Sequence, residues 1–359
     1  MMLMIATGKG LVIYRRKAKN WAFDQVHFLG MPVSVVQLDP HNQTWWVCLD
    51  HKHWGPKIHY SADQGRTWTE VRAPKYPAHT EIKAGVPATL RYLWTMGISH
   101  AHQPKAIYLG TEPGGLFQSV DQGENFELIE SLWNHPSREK HWFGGGRNHA
   151  GIHSIVIDPR DHQHIYIGVS CAGVFETHDG GQSWAACNQG LRADFLPNPF
   201  VEVGHDPHLL LMCPTKPDIL WQQNHCGVFR SEDAGKHWIE VTDPERATGY
   251  GFCLAIDEQD PDQAWVIPVT SDDKRVAVNQ ALAVFHTYDA GKTWTDYREG
   301  LPQAGCFDIV LRHALDKKGN IMVFGTSTGN LFGSEDYGKT WQALNHYLPD
   351  IYALKLIED

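Results

Sequence analysis

Apolar residues along this chain fall in short runs broken by Gly, Asp and Pro, without the three-to-four-residue spacing of an amphipathic helix. Runs such as AIYLGT, HIYIGV and NIMVFGT are each followed by a second run, as in GGLFQS, AGVFET and CGVFRS. A third kind, VSVVQLDP, HSIVIDP or FCLAIDE, lies upstream of each pair. The pattern predicts many short antiparallel strands joined by tight turns. No apolar run approaches the roughly 20 residues that a membrane-spanning helix needs.

The runs repeat. Six segments align without gaps: YSADQGRTW, QSVDQGENF, ETHDGGQSW, RSEDAGKHW, HTYDAGKTW and GSEDYGKTW. Their aspartates are Asp63, Asp121, Asp179, Asp233, Asp289 and Asp336, so the periods are 58, 58, 54, 56 and 47 residues. The Asp–x–Gly step is turn chemistry: the carboxylate accepts backbone N–H groups, and Gly takes a conformation closed to other residues. These aspartates are therefore expected to be structural. With the strand that follows the box, each period supplies four strands, and four strands repeated radially make a β-propeller.

The chain ends settle the blade count. IATGKGLVIYRR followed by Trp21 matches two middle strands and a decayed box, with Arg16 at the Asp position, and DIYALKLIED matches an innermost strand alone. Together they complete a seventh blade and leave no open sheet edge. The expectation is all-β: a seven-bladed propeller of four-stranded antiparallel blades, closed by the C-terminal strand joining N-terminal ones, as one domain over 1–359.

Strand order puts the Asp turns on one face, the lower. The opposite, upper face receives the turns between second and third strands and the passages between blades. Long connections fall there: Ala73 to Leu93, Glu130 to His153, Asn188 to His208 and Thr270 to Leu282. Long loops in a compact domain are usually functional, so the upper face is the expected site.

Net charge is −10 with 22 histidines among 359 residues. The acidic balance, with no basic run, excludes a phosphate-neutralising surface, and nucleic acid is not an expected partner. Seven scattered cysteines, with no C-x-x-C pair, read as buried free thiols. The first residues lack the make-up of a signal peptide, which with the missing apolar span leads to an expected cytoplasmic location and no membrane partner.

Several histidines map to the upper loops, and three are singled out. His153 and His208 begin innermost strands of adjacent blades, and His225 lies in the neighbouring loop QQNHCG beside Gln222 and Gln223. Three imidazoles at a channel mouth would suit a divalent transition metal, a single free one a general base, and hydrogen bonding around a wet channel neither. No cofactor is required by the sequence. Glu202 is a candidate acid or base. Trp54 and Trp142 could stack on sugar rings, and Arg147, His149 and Arg192, with Gln222 and Gln223, could bind an acidic or decorated saccharide.

The six boxes resemble the S-x-D-x-G-x-T-W repeat of the sialidase, or BNR, superfamily, which includes xyloglucanases, sortilin-type receptors and photosystem II assembly factors. GLVIYRR, FLGMPV, HSIVIDPRD, GLRADFLP and QQNHCGVFRSEDAG resemble bacterial single-propeller proteins described as exo-α-sialidase-like or photosystem-assembly-factor-like. The resemblance implies a glycosidase- or lyase-like protein acting on an oligosaccharide or small polar ligand. It does not extend to the F/Y-R-I-P motif of true sialidases, which is missing here. The alternative is a non-catalytic scaffold that binds a protein or peptide through the same face.

Overall fold

The computed structural model describes residues 1–99, 106–246 and 248–358. They build seven four-stranded antiparallel sheets and one small hairpin, Glu81–Lys83 with Val86–Pro87. The sheets follow one another around a closed ring. Their innermost strands, taken as blades one to seven, are Ile351–Ile357, Val33–Leu38, Tyr92–Ile98, Ile152–Ile157, Pro207–Met212, Gly251–Ile256 and Leu315–Lys318. Each packs against the innermost strand of the next blade, and the seventh against the first.

Closure is made by the chain ends. Met2–Thr7 pairs with Ile351–Ile357, from Met2 opposite Ile357 to Thr7 opposite Ile351, and Gly10–Lys17 and Asn20–His27 complete that blade. Arg16, at the position where the other blades carry Asp, instead donates to Glu335 Oε1 of the seventh blade at 2.6 Å. The hairpin there is closed by the two-residue turn Ala18–Lys19, and the ion pair ties the closing blade to its neighbour.

Why the strands read as continuous apolar runs follows from their place. A second strand such as Ile165–Val169 is buried along its whole length, because both faces of its sheet are covered by neighbouring blades, whereas the outermost Ile239–Glu240 is exposed. Alternation appears only where one face meets water. Trp45, Trp221 and Trp265 on second strands are fully buried between blades. Truncating one of them to Ala should cost about 3–5 kcal/mol. Gly110 belongs to the same layer: a Cβ there would stand 2.5 Å from the carbonyl oxygen of Ile152 in the next blade.

The six aspartate turns share one hydrogen-bond pattern. Asp63 Oδ1 accepts the N–H of Thr67 at 2.9 Å, Oδ2 accepts the Thr67 hydroxyl at 2.7 Å, and the Ser61 hydroxyl accepts the N–H of Gly65 at 2.8 Å. Asp336 repeats it with Thr340, Ser334 and Gly338. Gly65 has φ +85°, which a side chain would strain. These donors hold Asp63 and Asp121 down to a pKa of about 2. In two blades the following Trp ties the blade to the one before: Trp238 Nε1 donates to Cys187 O, and Trp294 Nε1 to Val241 O, both at 2.8 Å.

Helix is confined to short segments, including Glu130–Trp133 and Arg138–His141 in the passage from third to fourth blade. Among the described residues no helix is long and apolar enough to cross a membrane. All seven cysteines are free, and six are buried.

Candidate functional site

The innermost strands carry an irregularity that places side chains in the channel. In six blades the ladder between first and second strands slips, leaving an extra residue near the upper end: Ser34, Trp94, His153, His208, Tyr352 and, within the Phe252–Cys253 pair, Phe252. A bulge bends its strand and re-aims the unpaired side chain. Five of these six residues, all but His153, line one cavity of about 640 Å³ on the upper face. Every blade contributes to its wall.

Arg312 lies on this wall, in the passage from sixth to seventh blade. Its guanidinium carbon stands 5.2 Å from the ring centre of Trp94 and 5.3 Å from that of Phe252, so two bulged aromatics flank it. Its Nε is sealed from solvent without a hydrogen-bond partner. No acceptor or ion pair serves its other nitrogens among the described residues. Burial lowers its pKa and the Asp206 carboxylate opposes that shift, yet a guanidinium stays charged at any pH the fold survives. The neighbouring His313 is pushed down to a pKa of about 4 by burial and by Arg312, and its Nε2 donates to the carbonyl of His153 at 2.9 Å.

Beside Arg312, the fifth blade supplies an acid and two imidazoles. Asp206 is buried, and its Oδ1 accepts the Ser170 hydroxyl and the Cys171 N–H, each at 3.0 Å. Its Oδ2 stands 3.4 Å from His208 Nε2 and 3.4 Å from His225 Nδ1. Burial alone would raise this pKa, but the facing His208 and His225 imidazoles and the Arg312 charge outweigh it and hold Asp206 well below the ordinary carboxylate range. Tyr250 and Phe252 close the imidazoles in, with Phe252 stacked 4.8 Å from His208.

From the second blade, Asp50 lines the same cavity. Burial raises its pKa against the lowering pull of Arg147 and Lys52. Arg147 itself lies over Tyr92, 3.6 Å from the ring centre, and pairs with buried Glu112 at 3.0 Å.

The residues singled out from sequence divide accordingly. His208, His225 and Arg147 line the cavity. The expected convergence of His153 with His208 and His225 is not what the fold makes: His153 is fully buried behind the wall, its Nε2 unpartnered, and Asp206 is the group that meets the other two imidazoles. Gln222 and Gln223 lie fully buried between blades, Gln223 Nε2 donating to the carbonyls of Asn224 and Gly249. Arg192 ties its loop to Glu240 and to the Cys226 carbonyl. Trp142 packs on Phe175 and donates to Ser137 Oγ, pinning its loop. Trp54 and Glu202 are exposed, half-buried His149 is no closer, and none of the three reaches the cavity. Arg312, Trp94, Phe252 and Asp50 went unmarked in the sequence. Trp94 and Phe252 occupy the register position of His153 and His208, and comparing blades at that position would have found them.

No family model matches the chain. It is 24% identical over 206 residues to the oligoxyloglucan-reducing end-specific xyloglucanase of Emericella nidulans, covering 55% of this chain and 23% of that protein. A probable enzyme of the same name from Neosartorya fischeri is 22% identical over 265 residues, covering 66% and 30%. The chain thus spans less than a third of the length of these curated relatives. Among solved structures, an ancestral GH74 enzyme superposes with TM-score 0.59 at 15% identity over 92% of this chain and 37% of its own. YCF48 bound to D1 peptide superposes with TM-score 0.54 at 13% identity, over 92% and 88%. These likenesses show a shared propeller fold.

Proposed function

We propose that this chain is a carbohydrate-active propeller whose upper cavity takes an acidic or decorated saccharide and cleaves it in the manner of a glycosidase or lyase. The observation that carries the reading is Arg312, a guanidinium without an acceptor, flanked by Trp94 and Phe252 in a cavity of about 640 Å³. A carboxylate would give it the bidentate partner it lacks, and the aromatics would face a sugar ring. Cavities of about 300–1,000 Å³ suit small ligands.

Two carboxyl groups with pKa values pushed apart support the cleavage step. Asp50, raised by burial, serves as the acid that protonates the leaving oxygen, and the Asp206, His208 and His225 group as the basic side. A protonated and an ionised carboxyl group acting across one bond is the division of labour that glycoside cleavage uses. Xyloglucanase-named relatives support a saccharide ligand. In this reading the six aspartate turns are Asp boxes of the sialidase superfamily, residues 1–359 form one functional unit, and the free thiols fit a reducing cytoplasm.

The test is a panel of oligosaccharides ending in uronic or neutral residues, scored for released sugar or unsaturated product. Cleavage is expected only of the acidic members, and it falls by about 10²-fold or more in Asp50→Asn and His208→Ala. Equal rates on neutral members, or no product from any, would sink the reading.

A peptide-binding reading also has a specific observation behind it. Leu29, Trp54, Phe200, Phe307 and Tyr347 are exposed on upper-face loops, and one structural neighbour is titled as binding a peptide. Retention of a peptide, lost in Trp54→Ala and Phe200→Ala while saccharide cleavage stays absent, would favour it.

A further inference from the structure

The Asp206, His208 and His225 group has a feature that an acid-binding pocket does not require. His208 Nδ1 lies 2.5 Å from the carbonyl oxygen of Gly251. A carbonyl only accepts, so this nitrogen carries a proton, and Nε2 is the ring atom left for another partner. It faces the Oδ2 of Asp206 at 3.4 Å. His225 Nδ1 faces the same oxygen at 3.4 Å. Three atoms able to ligate a metal thus meet at the edge of the cavity, within 4.8 Å of one another.

Both separations exceed the usual N–H···O range of about 2.7–3.2 Å. They match another geometry: two donors, each about 2.0–2.1 Å from a tetrahedral ion, stand roughly 3.3 Å apart. The atoms behind the donors are also in order. Asp206 Oδ1 is held by Ser170 and by the Cys171 N–H, leaving Oδ2 for the imidazoles, and the Gly251 carbonyl orients His208. Outer hydrogen bonds of this kind fix metal ligands in place. Cys171 delivers its N–H from a left-handed backbone, φ 56°, a conformation that residues with side chains keep only where surrounding structure enforces it.

We infer that Asp206, His208 and His225 hold a divalent first-row transition ion, zinc being the natural fit, with its open coordination side toward the cavity that all three line. Two imidazoles, one carboxylate and an open position make up a catalytic rather than a structural zinc set. The ion would place a Lewis acid in the cavity that Asp50 and Arg312 share. Bound water at such an ion ionises near pH 7, a stronger supplier of hydroxide than an imidazole alone. The inference stands on these three side chains and does not depend on the ligand being a saccharide.

A second cluster provides the control. His164, Glu176 and His178 also bring three donor atoms together, in the fourth blade. There Glu176 Oε2 lies 3.2 Å from His164 and 3.3 Å from His178, and His178 is exposed. Among the described residues no backbone carbonyl orients either ring in the way Gly251 orients His208.

The experiment uses full-length protein stripped with a chelator and titrated calorimetrically with zinc sulfate alone, then with cobalt to read the visible spectrum. One site of micromolar or tighter affinity is expected, with a tetrahedral cobalt spectrum. In His225→Ala, a half-buried position, affinity should fall by more than the roughly 10–100-fold that outer-layer changes cause; His178→Ala should bind as wild type. Melting curves of each variant without metal separate lost ligation from lost fold, and Asp206→Asn gives a second variant at the same site. Absence of binding, or binding unchanged in His225→Ala, overturns the inference, as does binding lost in His178→Ala. Saccharide cleavage is scored separately, so zinc binding without cleavage would remove the proposed activity and leave the metal site, and cleavage without zinc the reverse.

Discussion

The two faces of this propeller are built from the same strands yet obey different rules. On the lower face six turns repeat one arrangement: an Asp carboxylate taking two or more N–H and O–H donors, a Gly beside it, and an aromatic residue packed below. On the upper face the corresponding blade positions hold Ser34, Trp94, His153, His208, Phe252 and Tyr352, six different answers apart from the one pair of histidines. The lower turns all solve one problem, closing a hairpin against the neighbouring blade, so they converge. Five of the six upper positions line a single cavity, each from a different blade, so they diverge, while His153 lies buried behind its wall. Regularity marks the turns that close the blades, and irregularity marks the cavity.

Substitutions can break this comparison in either direction. The largest effect is expected from Arg312→Gln, which should weaken binding of an acidic saccharide by roughly 10–150-fold, the equivalent of about 1.5–3 kcal/mol for a charged hydrogen bond. Its melting temperature should hold or rise, because the replaced charge has no acceptor of its own. A variant that loses stability along with affinity would show Arg312 to be structural. Asp336→Ala should do the opposite. It strands the N–H and hydroxyl of Thr340, costs about 1–3 kcal/mol, and lowers the melting temperature by several degrees with ligand affinity unchanged.

Acid sharpens the contrast. Asp63 and Asp121 titrate at about 2 in the folded protein against about 3.9 for a free side chain. Their contribution is therefore fully present above about pH 4 and is lost as pH falls through about 2. The melting-temperature gap between wild type and Asp63→Asn/Asp121→Asn should be widest at neutral pH and shrink between pH 4 and pH 2. A gap that stays constant would mean that those carboxylates carry no charge-dependent stability. Smallest of all, Glu202→Ala should leave affinity for a small acidic ligand within about twofold, since its exposed carboxylate stands outside the cavity and exposed charges contribute little.

The same contrast explains what could be read from the sequence. The blade count, the four-strand repeat and the chain-end pairing rest on Asp63 to Asp336 and on strands that repeat, and periodicity is a property that sequence displays directly. The upper face was legible as a face, through its long loops, but only in part as a site. His153, His208 and His225 stand out as histidines, but residue type does not say which reaches the opening: His153 and His208 share the same slip in register, yet His153 is buried against Trp94, 5.7 Å between ring centres, while His208 lines the cavity. Arg312 lies in the passage between Tyr297 and Leu315 with no repeat or motif around it, so nothing in the sequence points to it. Gln222 and Gln223 looked available because they adjoin His225, yet they belong to a second strand buried on both faces. Asp206 was one of several upper carboxylates, and only the fold shows that its Oδ2 faces two imidazoles.

If the cavity is an acid receptor centred on Arg312, a crystal of the protein soaked with a uronic-acid disaccharide should show the sugar carboxylate paired with the Arg312 guanidinium and its ring against Trp94 or Phe252. Density for the sugar with its carboxylate turned away from Arg312, or bound among the aspartate turns of the lower face, would contradict it.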